Sequence, residues 1–295
     1  MLTLEDLRKL ADTHADTLSL KVKEFDIGGK LFPFNSQPHF MGVVNLSSDS
    51  WYRESVCLTT DLAICRGRRL AVEGAHLVDI GAESSILNAA SVTELDQQSR
   101  LLPVIRSLTK SGLLVSAETY HPAVAEACLD AGAQVLNLTG SIKTKEIFRI
   151  VAERKAAVIL CYVEGSHVRN VGDFSLKEDM IPIMQDYFAR KIDEAVAMGI
   201  TRILIDPGLG FYYKNLQDSE VRVKHQMRTF LNTFRLKKLG WPICHALPHA
   251  FEYFGDEVRC AEPFFAVLAL LGKTHLLRTH EMTRIVGVSK TLGVW

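Results

Sequence analysis

The chain has 295 residues, 47% of them hydrophobic and 23% charged, a make-up that supports a sizeable core and excludes a disordered chain. Thirty-four Lys and Arg balance thirty-four Asp and Glu, so no overall field recruits nucleic acid or an anionic membrane, and charge selection of a partner must be local. The longest apolar stretch, FFAVLALLG from Phe264, is about half the length of a membrane span.

Residues 1–37 form a preface. LEDLRKLADTHAD from Leu4 has helical spacing, and LKVKEFDIGGKLFPF reads as two short strands about a Gly28-Gly29 turn. From residue 38 the rhythm is regular: HFMGVVN (39–45), HLVDIG (76–81), GLLVSAE (112–118), AQVLNL (133–138), AAVILCYV (156–163), TRILIDPG (201–208), WPICHAL (241–247) and THLLRTH (274–280). Segments of helical period, such as DLAICRGRRLAVEGA and PAVAEACLDAGA, follow these runs. Eight strand–helix units predict an α/β fold, a (β/α)8 TIM barrel with an N-terminal helix and β-hairpin extension. No linker divides the chain, so 1–295 is expected to be a single domain, with 1–37 as extension and 38–295 as barrel. An open doubly wound sheet is the competing architecture, but it wants a Gly-rich turn after its first strand, where this chain has NLSSDS. The longest irregular segments, 164–175 and 206–215, follow strands five and six.

Six cysteines (Cys57, Cys65, Cys128, Cys161, Cys244, Cys260) lie in apolar stretches without metal-type spacing. With no stretch that reads as a secretory signal, they are expected to be reduced core thiols of a cytoplasmic protein.

In such a barrel the chemistry sits where strands end, because the βα loops converge on one mouth. Read in order, those ends carry Asn45 and Asp49; Asp79 and Glu83; Glu118; Asn137; Glu164 and His167; Asp206; His245 and His249; Arg278 and His280. Each has an ordinary structural role open to it. Asp79 and Glu83 could cap the following helix, and Asn137 could satisfy a turn before Gly140. Asp206 follows the apolar ILI and would be costly to bury without a partner. Arg278 and His280, two apart, share a strand face beside Asn45, a set suited to a phosphate or diphosphate, with Mg2+ shared by the anion. Asp206, Asn137 and Glu118 suit a flat nitrogen heterocycle with an amino-amidine edge. An acidic wall is expected to face an anion-binding one.

These residues resemble the pterin-binding enzyme family, and within it the dihydropteroate synthases, over nearly the whole chain. MGVVNLSSDSW is similar to the family's first-strand motif, with Ser47-Ser48-Asp49-Ser50-Trp51 where Thr-Pro-Asp-Ser-Phe is usual. DIGAES, VLNLTG, IDPGLGFYYK and LRTHE resemble the second, fourth, sixth and last motifs. The resemblance implies catalytic roles for Asn45, Asp206, Arg278 and His280, with Asn45 on the diphosphate and as a ligand of its Mg2+. It implies that Asp206 and Asn137 hold the pterin edge, with Glu118 where an aspartate is usual, and it includes Asp79 and Glu83 among the substrate-binding residues. The reaction implied is displacement of diphosphate from 6-hydroxymethyl-dihydropterin diphosphate by an arylamine. Family members often pair through their later helices, so a homodimer is expected, with EPFFAVLALLG as interface or core.

The chain departs from the family at two loops. Ser85-Ile86-Leu87 replaces Thr-Arg-Pro after DIGAES, and Pro248, His249 and Ala250 stand near a usual Ser-Arg-Lys, leaving His249 as the local substitute for the lysine. Three readings stay open: a synthase-type transferase with an altered amine site, a pterin-dependent methyltransferase, and a pterin-binding protein without chemistry.

Overall fold

The computed structural model describes residues 1–295 apart from 48, 50, 51, 85–91, 172, 212, 214 and 217. A capping box opens the first helix, α1 (Leu4–Thr13): the Thr3 hydroxyl accepts from the Asp6 N–H and the Asp6 carboxylate accepts from the Thr3 N–H. A short α2 (Ala15–Leu18) leads to the hairpin β1 (Phe25–Ile27) and β2 (Lys30–Phe32). Its turn holds Gly28 at φ 55° and Gly29 at φ 81°, backbone that side chains with a Cβ rarely adopt.

The barrel then runs β3 (His39–Asn45), α3 (Thr60–Val72), β4 (Leu77–Gly81), α4 (Glu94–Lys110), β5 (Val115–Thr119), α5 (Pro122–Asp130), β6 (Val135–Leu138), α6 (Thr144–Glu153) and β7 (Ala157–Cys161). A small hairpin, β8 (Gly165–His167) and β9 (Asn170–Val171), precedes α7 (Ile181–Ala197), β10 (Ile203–Asp206), α8 (Ser219–Asn232), β11 (Cys244–Ala246), α9 (Phe251–Phe254), α10 (Ala261–Leu271), β12 (Leu276–Thr279) and α11 (Met282–Leu292). Eight strands form one parallel sheet in the order β10-β7-β6-β5-β4-β3-β12-β11. The ring closes where β10 meets the residues before β11: Ile205 bridges Ile243, and the Ile205 N–H donates to the Pro242 carbonyl at 3.1 Å.

All eight predicted strands form, and they read as continuous apolar runs because one face fills the barrel while helices cover the other. β4 and β7 are buried at every position. Most strands are shorter than the runs read from sequence, and two begin late for a visible reason. Gly112 and Leu113 still close α4, the Leu113 N–H donating to the Leu108 carbonyl at 3.2 Å, so β5 begins at Val115. Pro242 has no N–H for the ladder, and β11 begins only at Cys244. Segment 164–175, expected to be irregular, contains the hairpin β8–β9.

The β1–β2 hairpin lies across the amino-terminal end of the barrel. Phe32 packs on His39 at 4.8 Å between ring centroids, and Phe34 sits 6.3 Å from His275. On the far side Arg202, just before β10, donates through Nε to the Asp26 carbonyl at 2.7 Å. α10 serves as core through Phe265, Ala266, Leu268 and Ala269, while Phe264 and Leu271 are exposed. Four cysteines are buried as expected; Cys65 is exposed and Cys260 half-buried, so those two are not core thiols. Among the described residues, no helix is long and apolar enough to cross a membrane.

Candidate active site at the barrel mouth

Three acids and one guanidinium occupy the carboxyl-terminal end of the barrel. Asp79, in the middle of β4, is wholly buried, and its Oδ2 accepts from Arg278 Nε at 2.7 Å and from Asn137 Nδ2 at 3.2 Å. Arg278 Nη2 donates to Glu118 Oε2 at 2.6 Å. Asp79 Oδ1 is buried without a hydrogen-bond partner among the described residues. Asp206 closes β10 and accepts the Gly208 N–H at Oδ1, 2.8 Å away.

The charges do not balance, and the acids respond. Burial drives the Glu118 carboxyl up to about 7; Arg278 opposes this, and Asp79 and Asp206 reinforce it. Burial likewise lifts Asp206 to about 6, against the Gly208 N–H and the field of Arg278. Burial works against the charge of Arg278, but Asp79 and Glu118 outweigh it and hold the guanidinium protonated. Near neutral pH the cluster therefore takes up a proton or a cationic ring edge readily.

Arg278 thus belongs to the acidic wall and bridges it, in place of the two opposed walls expected from sequence. Its Nη1 makes no hydrogen bond among the described residues, and the guanidinium lines one cavity together with Asn45, Glu118, His249 and His280. Asn45, at the tip of β3, donates from Nδ2 to Ser55 Oγ at 2.5 Å. His280 lies just past β12, with Nδ1 2.6 Å from Glu262 Oε1; burial holds its ring neutral, well below the usual imidazole range. Tyr52 stacks on His280 at 4.7 Å and on His249 at 5.0 Å, and its hydroxyl donates to Glu281. Burial drops His249 to about 4.

The site residues read from sequence gather here with some reassignment. Neither Asp79 nor Glu83 caps the next helix, because Thr93 does so, its hydroxyl accepting from the Asp96 N–H at 3.1 Å. Glu83 accepts from the Tyr120 hydroxyl at 2.6 Å, from the Val92 N–H at 3.1 Å and from Arg169, which ties the β8–β9 hairpin to the mouth. Asn137 is a strand residue of the acid network and not a turn residue. His245 points away from the mouth: its Nε2 meets Thr233 Oγ1 at 2.7 Å and its ring packs on Phe230. Glu164 braces its own loop through the Tyr162 hydroxyl and the Ser175 N–H, both at 2.7 Å, and His167 stacks on Tyr120 at 4.1 Å. The Asp49 carbonyl accepts from Ser84 Oγ at 3.2 Å. Ser48, Ser50 and Trp51 of the first motif, and Ser85-Ile86-Leu87 of the second loop, lie outside the described residues.

Sequence reading missed Glu262, Tyr52 and Arg169. Glu262 had a signal: an acid in the first turn of the otherwise apolar AEPFFAVLALL, where it is fully buried. Tyr52 and Arg169 sit in loops whose course no periodicity encodes.

A family model described as pterin binding enzyme matches residues 41–246. The dihydropteroate synthase of Synechocystis sp. is 26% identical over 279 residues, covering 90% of this chain and 92% of that protein. The Bacillus subtilis dihydropteroate synthase is 31% identical over 183 residues, 60% of this chain and 61% of its own length. Among solved structures, Xanthomonas albilineans dihydropteroate synthase with 4-aminobenzoic acid superposes with a TM-score of 0.77 at 26% identity, covering 93% of this chain and 98% of that one. The same enzyme in complex with 7,8-dihydropteroate gives 0.74 at 26% identity, covering 92% and 98%.

Proposed function

Because the chain belongs to the pterin-binding enzyme family, we propose that its barrel mouth carries out a dihydropteroate synthase-type transfer. An arylamine nitrogen attacks the methylene carbon of 6-hydroxymethyl-dihydropterin diphosphate, the carbon–oxygen bond breaks, diphosphate departs with the bonding pair, and the amine loses a proton. The observation that carries this reading is the acid cluster. Asp79 Oδ1, buried and unpartnered among the described residues, sits in the same network as Glu118 and within the field that links Arg278 to Asp206. Carboxylates of that kind accept the parallel N–H groups of a pterin's amino-amidine edge, and Asn137 adds an amide.

The outer part of the cavity receives the anion. Arg278 offers Nη1 to a phosphoryl oxygen while its other nitrogens stay on the acids, so one guanidinium spans heterocycle and leaving group. His280 lines the same cavity, beside Asn45 and Ser47. The amide and hydroxyl oxygens of Asn45 and Ser47 are hard donors of the kind Mg2+ accepts alongside phosphate, and Mg2+ held there would neutralise charge on the departing diphosphate. With little covalent work required, the protein's contribution is to hold the methylene carbon in line with amine and leaving group in a space poor in water. His249 and Glu83 flank the remaining space, where the amine enters, and 4-aminobenzoate and another arylamine are both candidates for it. The exposed Phe264 and Leu271 of α10 suit a homodimer contact, which sedimentation equilibrium measures.

Incubating the purified chain with the pterin diphosphate, Mg2+ and either 4-aminobenzoate or a ribosyl-phosphate arylamine, and following diphosphate release, tests the reading. Release that depends on the amine supports it. No release with either amine, in protein that calorimetry shows to bind the pterin, refutes catalysis and leaves a binding role.

A further inference from the structure

We propose that His249, Glu262 and His280 form a site for one borderline divalent transition-metal ion, such as Zn2+ or Co2+, at the rim of the mouth cavity. One ligand atom from each residue lies within 4.8 Å of the other two. Two imidazoles and a carboxylate are a ligand set that such ions take, and hard Mg2+ favours oxygen instead.

The Glu262 carboxylate is built as a supported ligand. Its side chain is fully buried, and Oε2 accepts from the Thr279 hydroxyl, from the His280 N–H at 3.0 Å and from the Glu281 N–H at 3.2 Å. Oε1 shares the His280 N–H at 3.3 Å and is aimed at the imidazoles, 2.6 Å from His280 Nδ1 and 3.8 Å from His249 Nδ1. Outer hydrogen bonds that fix a ligating carboxylate are the usual support of a metal site.

A second observation is independent of the cluster's composition. His249 Nδ1 is buried and has no hydrogen-bond partner among the described residues, on a side chain only 10% exposed. An imidazole nitrogen withdrawn from water and left unpaired is costly unless something binds it, and the nearest ionic group is Glu262. The stack on Tyr52 limits rotation of both rings.

Bonds of about 2.0–2.2 Å to one ion place its ligand atoms roughly 3–4 Å apart. Of the two measured separations one lies just below that span and the other within it, and the widest gap exceeds it by at most about 1 Å, which closes as the ion replaces the proton between Glu262 and His280. Three protein ligands with the remaining side open to the cavity match a reactive site and not a closed structural one. The ion would also decide a tautomer. With Nδ1–H donating to Glu262, His280 Nε2 carries a lone pair; with Nδ1 on a metal, Nε2 carries the proton and becomes a donor for an anion in the cavity.

The site stands apart from the reaction proposed above, since metal binding is measured without substrate. Full-length protein without a polyhistidine tag is stripped with chelator and titrated with Co2+, following visible absorption and bound metal. The expected result is one Co2+ per chain with the intense bands of low coordination, displaced by Zn2+ and not by Mg2+. His249→Phe keeps the ring on Tyr52 and is expected to weaken binding by roughly 10-fold or more. It should also make the stripped protein no less stable, since no unpaired nitrogen remains. His121→Ala, outside the cluster, leaves binding unchanged. Glu262→Gln should lose the ion too; circular dichroism establishes its folding, and His249→Phe carries the test if it does not fold. No stoichiometric Co2+ in the wild type, or equal affinity in His249→Phe, overturns the proposal.

Discussion

Replacing Glu118 by Gln measures the charge imbalance of the barrel mouth. The ordinary glutamate value is 4.5, whereas Glu118 in place titrates at about 7, chiefly because it is buried. Ionising it in the folded chain therefore costs about 3 kcal/mol more than in the unfolded chain. Between these values the folded state binds more protons than the unfolded one, so this contribution to stability is complete below 4.5, declines as pH rises, and is gone above 7. Gln keeps an amide oxygen for Arg278 Nη2 and removes the titration. The variant should match the wild type near pH 4.5 and exceed it at pH 8 by up to about 3 kcal/mol, which is about 5 °C in Tm for a chain of this length. Thermal unfolding by circular dichroism at pH 5, 6.5 and 8, with urea unfolding at 25 °C as a cross-check, reads the difference. A variant less stable than wild type at pH 8, or a gap that stays constant from pH 5 to 8, would refute the assignment of Glu118 as the strained acid.

Arg278→Ala leaves Asp79 and Glu118 buried without their cation and should cost about 3–5 kcal/mol in urea unfolding, with the loss smaller at pH 5, where Glu118 is protonated. Asp206→Asn removes one acceptor charge while keeping size; calorimetry should show dihydropterin affinity falling roughly 10–100-fold, and unchanged affinity would take Asp206 out of the pocket. Gly272→Ala would place a Cβ 1.8 Å from the Phe230 carbonyl oxygen, a backbone atom that cannot swing aside, so soluble yield and Tm should both fall.

Much of this architecture was legible because strands buried on both faces leave unbroken apolar runs. HFMGVVN ends in Asn45, TRILIDPG carries Asp206 near its end and HLVDIG carries Asp79 in its middle, the polar residues that now stand at the mouth or just beneath it. The same double burial hides direction: no alternation tells which side chains point inward, so His245 reads from sequence like a mouth residue although it packs under α8 against Phe230. Partnership was also hidden. Arg278 and Asp79 lie on strands separated by β3, and only the pairing of the last barrel strand with the first brings their side chains to 2.7 Å. Glu262 reaches the mouth from α10, a helix whose sequence otherwise describes core packing.

The floor laid by the β1–β2 hairpin has a kinetic corollary. Phe32, Phe34 and Arg202 occupy the amino-terminal end, and the cavity at the opposite end is lined by Glu118, Arg278 and His280. Under the transfer proposed above, a heterocycle held on the more deeply buried acids would load before the amine, and the detached anion would have to leave before the enlarged product could follow.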